Sequence, residues 1–122
     1  MKKQSVCVIG GGLTGLLTAI SLSKFNLKVD LIAKNFNENY KSLRTTALSD
    51  SNCKFLNEQK ILNYNMKNLW PCCEIKLYDS INNDENEKIL NLSKKSFEEN
   101  ILYIISNNKI VQTMKQKIKK DK

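Results

Sequence analysis

Residues 8–16 read VIGGGLTGL, and all four glycines of the 122-residue chain lie within them. The remaining turns fall to asparagine, which tolerates left-handed backbone angles moderately well. Gly10, Gly11, Gly12 and Gly15 therefore stand where no Cβ fits, against a ligand or a neighbouring element. Just before them, Ser5–Ile9 (SVCVI) is an apolar, β-branched run without polar alternation, the pattern of a strand buried on both faces. Just after them, TGLLTAISLSKF gathers Leu13, Leu16, Leu17 and Ile20 on one side of an amphipathic helix. Asn26 occupies the place of a left-handed C-cap, and Leu27–Ala33 (LKVDLIA) reads as a second strand. Strand, glycine turn, helix and strand in about thirty residues make a βαβ unit.

Beyond this unit the pattern weakens. Residues 34–46 lack periodicity and read as a loop. Ser49 is a good N-cap for a helix over SDSNCKFLNEQ with Phe55 and Leu56 facing inward, and residues 63–69 suggest a second short helix ending at Trp70–Pro71. CEIKLYD alternates Cys73, Ile75 and Leu77 with Glu74, Lys76 and Tyr78, as in a half-exposed antiparallel strand. INNDENE is a turn after which KILNLS pairs back. Ile101–Ser106 is a further strand, and Asn107 or Asn108 caps a last helix with Ile110, Val111, Met114 and Ile118 on one face.

Composition narrows the classes of function. The length suits one small domain. Nineteen lysines accompany a single arginine, and the net charge is +8. The positive charges are scattered, dense only in KQKIKKDK, and no basic stripe interleaves with aromatics, which argues against nucleic acid as a partner. Four cysteines without CxxC spacing, and no histidine, argue against a metal site and suggest reduced thiols. No segment approaches the ~20 apolar residues of a spanning helix. The expected location is the cytoplasm, at most peripheral to a membrane.

Gly10-x-Gly12-x-x-Gly15 has dinucleotide-binding spacing. Gly10 allows the tight exit from the strand, Gly12 lets backbone approach a pyrophosphate, and Gly15 lets the helix pack on the strand, while the helix N-terminus offers free N–H groups. Strand before, helix after and second strand beyond supply the expected context. One part departs from the pattern. The second strand should end in a carboxylate for the ribose hydroxyls, yet Ala33 and then Lys34 stand there. Either Lys34 favours a 2′-phosphate, or other groups hold the ribose. Arg44 is the one bidentate fork for phosphate in a chain that otherwise uses lysine.

CVIGGGLTGLLTAISLSKFNLKVDLIA, RTTALSDSNCKFLNEQKIL, LWPCCEIKLYD and LYIISNNKIVQTMKQKI, in that order, resemble the N-terminal part of the flavin-dependent aromatic hydroxylases of ubiquinone biosynthesis. The glycine motif is shared with many flavoproteins; the Arg-Thr-Thr-Ala-Leu-Ser block, with its helix and Trp-Pro, is more specific. The resemblance covers nearly all of the chain but about the first third of a typical family member. It implies an α/β fold: a Rossmann-like FAD-binding βαβ unit followed by the start of an interposed antiparallel β segment, an incomplete domain. Residues 1–70 would hold the βαβ unit with its FAD-contacting loop and helix, 71–106 the start of the substrate-domain β segment, and 107–122 a helix.

The resemblance also implies a site. Gly10, Gly12, Leu13, Thr14 and Gly15 would hold the FAD pyrophosphate, and Arg44 would lie along the FAD. The implied reaction is NAD(P)H-driven, O2-dependent hydroxylation of a polyprenylated phenol, with other ubiquinone-biosynthesis proteins as partners and a place at the inner face of the membrane. No catalytic side chain stands out in these residues, and the first two strands would leave an unfinished sheet edge. The expectation is a fragment, a truncated frame or one piece of a split enzyme. Two alternatives stand beside it: an NADP-binding reductase, suggested by Ala33–Lys34, and a non-catalytic remnant in which the glycines form a structural turn.

Overall fold

The computed structural model describes residues 4–63, 65, 67–78, 88–93 and 100–120. It is a mixed α/β structure with three helices and three small sheets among these residues. β1 (Gln4–Ile9), α1 (Leu13–Leu22) and β2 (Leu27–Ile32) come first, and β1 and β2 run parallel with Gln4 beside Leu27 and Ile9 beside Ile32. β3 (Thr45–Ser49), β4 (Leu69–Cys72) and β7 (Leu102–Ser106) form an antiparallel sheet with β7 in the middle. β5 (Glu74–Tyr78) and β6 (Lys88–Ser93) pair as an antiparallel hairpin, as the alternation in CEIKLYD suggested. α2 (Asp50–Glu58) follows β3 directly, and α3 (Asn107–Lys120) follows β7.

The core lies between α1, α2, α3 and the β3–β7–β4 sheet. Leu16 and Ile20 from α1 meet Cys53 and Leu56 from α2, Ile105 from β7, and Ile110, Val111 and Met114 from α3. The apolar faces expected for α1 and α3 are the ones buried, with Ile118 packed against the core margin. In α2 the inward pair is Cys53 and Leu56, and Phe55 remains 41% exposed. Positions 53 and 56 are one helical turn apart and share a face; Phe55 falls about 100° away from its neighbour.

Several local expectations change. β1 is not buried on both faces: Val6 and Val8 are half-buried while Ser5, Cys7 and Ile9 are exposed, and β2 alternates likewise. Among the described residues each of these strands has the other as its one pairing partner, so both edges are open, as the sequence suggested. Asn26 is not left-handed; α1 ends at Ser23 in the right-handed region, and among the described non-glycine residues the positive φ values belong to Asn35 (56°) and Lys60 (55°). Residues 45–49, read partly as loop and partly as helix start, are strand β3, because β7 supplies their hydrogen bonds from the far end of the chain. The short helix expected over 63–69 is absent among the described residues there, which are turns leading into β4. Pro71 sits within β4 because that strand is an edge, where a missing N–H is tolerated. The turn at INNDENE lies outside the described residues.

Ser49 does cap α2, its Oγ accepting from the Asn52 N–H at 3.2 Å. At the other end Lys60 N–H donates to the Asn57 carbonyl at 2.8 Å and Ile61 N–H to the Leu56 carbonyl at 2.9 Å, while Ile61 and Leu56 are both buried. This is a Schellman closure with lysine where glycine is usual. An L-residue held left-handed costs roughly 1–2 kcal/mol. Lys60→Gly should therefore raise stability by about 1 kcal/mol. A urea titration would show a higher midpoint at unchanged slope; an unchanged or lower midpoint would contradict this account.

Candidate functional site: the glycine turn and its cleft

The turn leaves β1 with Gly10 at φ 126°, a backbone region that other residues rarely enter, and the Gly10 N–H still donates to the Ile32 carbonyl at 2.8 Å. The chain then reverses into α1 with Gly12 as N-cap in extended conformation. Gly15 rests on the Gly10 carbonyl: a Cβ there would collide with that oxygen and lie 2.9 Å from its carbon. Helix-to-strand packing is the role expected for this third glycine. Gly11 has a contact that the spacing did not reveal. A Cβ on Gly11 would lie 2.8 Å from the Ala33 Cβ, so the two positions can pass only if both stay small. Ala33, where a ribose carboxylate was expected, is thus the facing half of a tight crossing between the turn and the end of β2.

Gly12 differs from the others. No atom lies within 4 Å of the place its Cβ would take, and its φ of −79° suits any residue. Packing and backbone geometry do not require glycine there. No side chain caps α1, so the N–H groups of its first turn, at Leu13 and Thr14, remain without a side-chain acceptor. Leu13 is half-buried against the core and Thr14 is exposed.

Above the turn opens a cleft of about 690 Å3. Its floor is the backbone of Gly10–Gly12. Ile9, Ile32, Phe36 and Tyr40 give it apolar walls, and Lys34, Lys41 and Lys115 outnumber its one acid, Glu38. One wall is the stretch 34–41, which the sequence left as unstructured loop. It is laid against α3: Lys115 Nζ donates to the Glu38 carbonyl at 3.1 Å and lies 5.6 Å from the Phe36 ring centre, with Lys119 at 6.0 Å. Lys41 and Lys115 were not foreseen as site residues. Nothing local marks them, since they reach the cleft through the docking of this stretch on α3.

Arg44 is not in the lining of the cleft. It lies beyond Lys41 on the same stretch, exposed, with its backbone tied to the start of α3. The asparagines expected to cap α3 are used differently. Asn107 Oδ1 accepts from the Thr46 hydroxyl, and Asn108 Oδ1 accepts from the Ser42 N–H at 2.7 Å.

The cysteines are all free: Cys7 and Cys73 exposed, Cys72 half-buried, and Cys53 in the core. Burial, and secondarily the Asp50 carboxylate, push the Cys53 thiol above its ordinary value, which suits an inert packing group rather than a nucleophile. Among the described residues no cluster of three or more histidine, cysteine or acidic side chains could hold a metal ion, and no helix is long and apolar enough to cross a membrane. No protein-family model matches the chain, and no curated protein matches it.

The residues of the cleft fit an ADP group. Open space over an extended glycine and three lysines suit a diphosphate, the apolar walls suit a base, and Leu13 and Thr14, with their uncapped N–H groups, follow Gly12 just outside the lining.

Proposed function

We propose that the chain binds the ADP half of FAD at this cleft and forms the cofactor-binding N-terminal part of an FAD-dependent aromatic-ring hydroxylase of the ubiquinone-biosynthesis type. The observation that carries the reading is Gly12: it is glycine without a packing or backbone need, in the turn that floors a lysine-lined cleft. Gly10, Gly11 and Gly15 shape the turn. The N–H groups at Leu13 and Thr14 and the ammonium groups of Lys34, Lys41 and Lys115 meet the phosphates, and Ile9, Ile32, Phe36 and Tyr40 exclude water from the base. Bound FAD, reduced by NAD(P)H, would supply the O2 chemistry that hydroxylates a polyprenylated phenol. The part of these residues is to bind and orient.

The reading is supported by the resemblance of the Arg-Thr-Thr-Ala-Leu-Ser block and Trp-Pro, in that order, to that family, and by the parallel β1–α1–β2 arrangement. The three lysines favour a second reading, an NADP-binding reductase, in which Lys34 meets a 2′-phosphate. Titration of the folded protein with FAD, followed by flavin absorbance and fluorescence, and a parallel titration with NADPH decide between them. Saturable FAD binding tighter than NADPH is expected. The reverse order would favour the reductase, and binding of neither would leave the glycines as a structural turn.

A further inference from the structure

The free edge of β2 carries a pattern that matches itself when two copies are laid antiparallel. In a strand, the N–H and C=O groups of successive residues face alternate edges. The Ile32 carbonyl accepts from Gly10 N–H at 2.8 Å, on the β1 side. Lys28 and Asp30 therefore also turn their peptide groups toward β1, while Leu27, Val29 and Leu31 turn theirs to the open side. Among the described residues no further strand takes these groups up; the Leu27 N–H is engaged locally, donating to the Phe25 carbonyl at 2.8 Å. An edge left in this state is a template for one more strand.

The side chains decide which strand fits. Lys28 and Asp30 flank Val29, both exposed and 3.7 Å apart at their charged ends, and Leu27 and Leu31 flank these in turn. A second copy of Leu27–Leu31 running the other way, centred on Val29, sets Val29 beside Val29, each Lys28 beside an Asp30, and each Leu27 beside a Leu31. A lysine alone would guard the edge by repelling another copy, whereas here each charge meets its opposite. The hydrogen bonds obey the same centre: the two Val29 residues exchange N–H and C=O, and the Leu31 N–H of each copy reaches the Leu27 carbonyl of the other. Lys28 and Asp30 then fall on non-hydrogen-bonded pairs, where opposite Cα atoms stand about 4.5 Å apart and side chains are closest. The neighbouring registers put Asp30 opposite Asp30 or Lys28 opposite Lys28, so charge selects one register. The free edge of β1, Gln4–Ile9, carries no charge and selects none.

Beside the β2 edge lies a groove of about 480 Å3, with Ile20, Val29, Leu31, Phe36 and Ile118 among its apolar walls. Opposite residues of an antiparallel pair project to the same face, so Val29 and Leu31 of the second copy come to lie along this groove. We propose that the free edge of β2 is a self-association surface whose occupant is β2 of a second copy of this chain, antiparallel about a two-fold axis at Val29. The product is a sheet in the order β1–β2–β2–β1, with the two glycine turns at opposite ends. The interface stands independently of what the cleft binds.

Sedimentation of the full chain over a series of concentrations tests this, with circular dichroism melts as a check on folding. The mass should rise from 14.0 kDa toward twice that value. Lys28→Asp turns both opposite-charge pairs into like-charge pairs, and so does Asp30→Lys. Each should weaken dimerisation at least about tenfold and leave the melt in place, since both side chains are exposed. The two single variants, mixed in equal amounts, should pair with each other as tightly as the unaltered chain does with itself, and the double exchange should self-associate again. Lys28→Gln, which removes a charge without reversing it, should weaken the dimer about threefold and serves where a reversal disturbs the fold. A mass that stays at 14.0 kDa into the millimolar range would overturn the proposal. So would dimerisation indifferent to both reversals, which places the interface elsewhere, or a loss that neither the mixture nor the double exchange repairs, which excludes this register.

Discussion

Gly15→Ala is expected to destabilise the protein by about 2 kcal/mol. Two effects compete. Alanine is the better helix former by ~1 kcal/mol, which alone would make the variant more stable. Against that, the new methyl group meets the Gly10 carbonyl, and the obstacle is backbone rather than the flexible end of a side chain. Relief requires α1 to lift from the end of β1, and α1 contributes Leu16 and Ile20 to the core, both essentially fully buried. Overpacking of this kind costs 1–3 kcal/mol or more, and lifting the helix adds lost burial, so the clash wins. In a thermal melt the net loss corresponds to a fall of roughly 10 °C for a chain of this size. A melt equal to or above that of the unaltered protein would mean that the helix does not sit on the turn as described.

Gly12→Val should separate binding from folding. The valine side chain enters open space, and the extended N-cap conformation accepts a β-branched residue, so stability should fall by less than about 1 kcal/mol, the cost of a poorer N-cap. The same side chain fills the approach to the uncapped N–H groups. FAD affinity should drop at least a hundredfold, ~2.7 kcal/mol, because a diphosphate held away from those groups loses both its hydrogen bonds and the helix field. A stable variant that still binds FAD normally would exclude the glycine turn as the nucleotide site. The pair of variants is informative together: Gly15 serves the fold, and the proposed ligand role falls to Gly12, three positions away.

The sequence made the first of these roles plain and hid much of their setting. The β1–α1–β2 unit was legible because each element carries its own signal within thirty residues, and β5 and β6 because their alternation is local. β3 was not, since Thr45–Ser49 has no hydrophobic period of its own and becomes a strand by pairing with residues 102–106. β4 was concealed by Trp70–Pro71, which ends a helix as readily as it ends a sheet edge. In the turn, the packing role of Gly15 could be read from spacing, whereas the Gly11–Ala33 crossing needed the register of two strands. Lys41 and Lys115 gave no signal, and Asn107 and Asn108 signalled only a helix cap: lysine and asparagine are the commonest polar residues of this chain, and only the docking of residues 36–46 along α3 gives these four particular work.

The pairing of β3 with β7 has a consequence for the order in which the molecule can assemble. Thr45 and Ser106 lie 61 positions apart, against 23 for Gln4 and Leu27 in the β1–β2 pair. By the logarithmic growth of closure entropy with loop length, the longer closure costs roughly 0.9 kcal/mol more, before any contact rewards it. The glycine turn belongs to the short closure, but the lysine-lined wall above it exists only after α3 has docked, which belongs to the long one. Nucleotide capture at the cleft, as proposed, would therefore be tied to the slowest-closing part of the chain. A ligand that binds the finished cleft draws population toward the whole core, not merely toward the turn it touches, and acts as a thermodynamic latch on the last contacts to form.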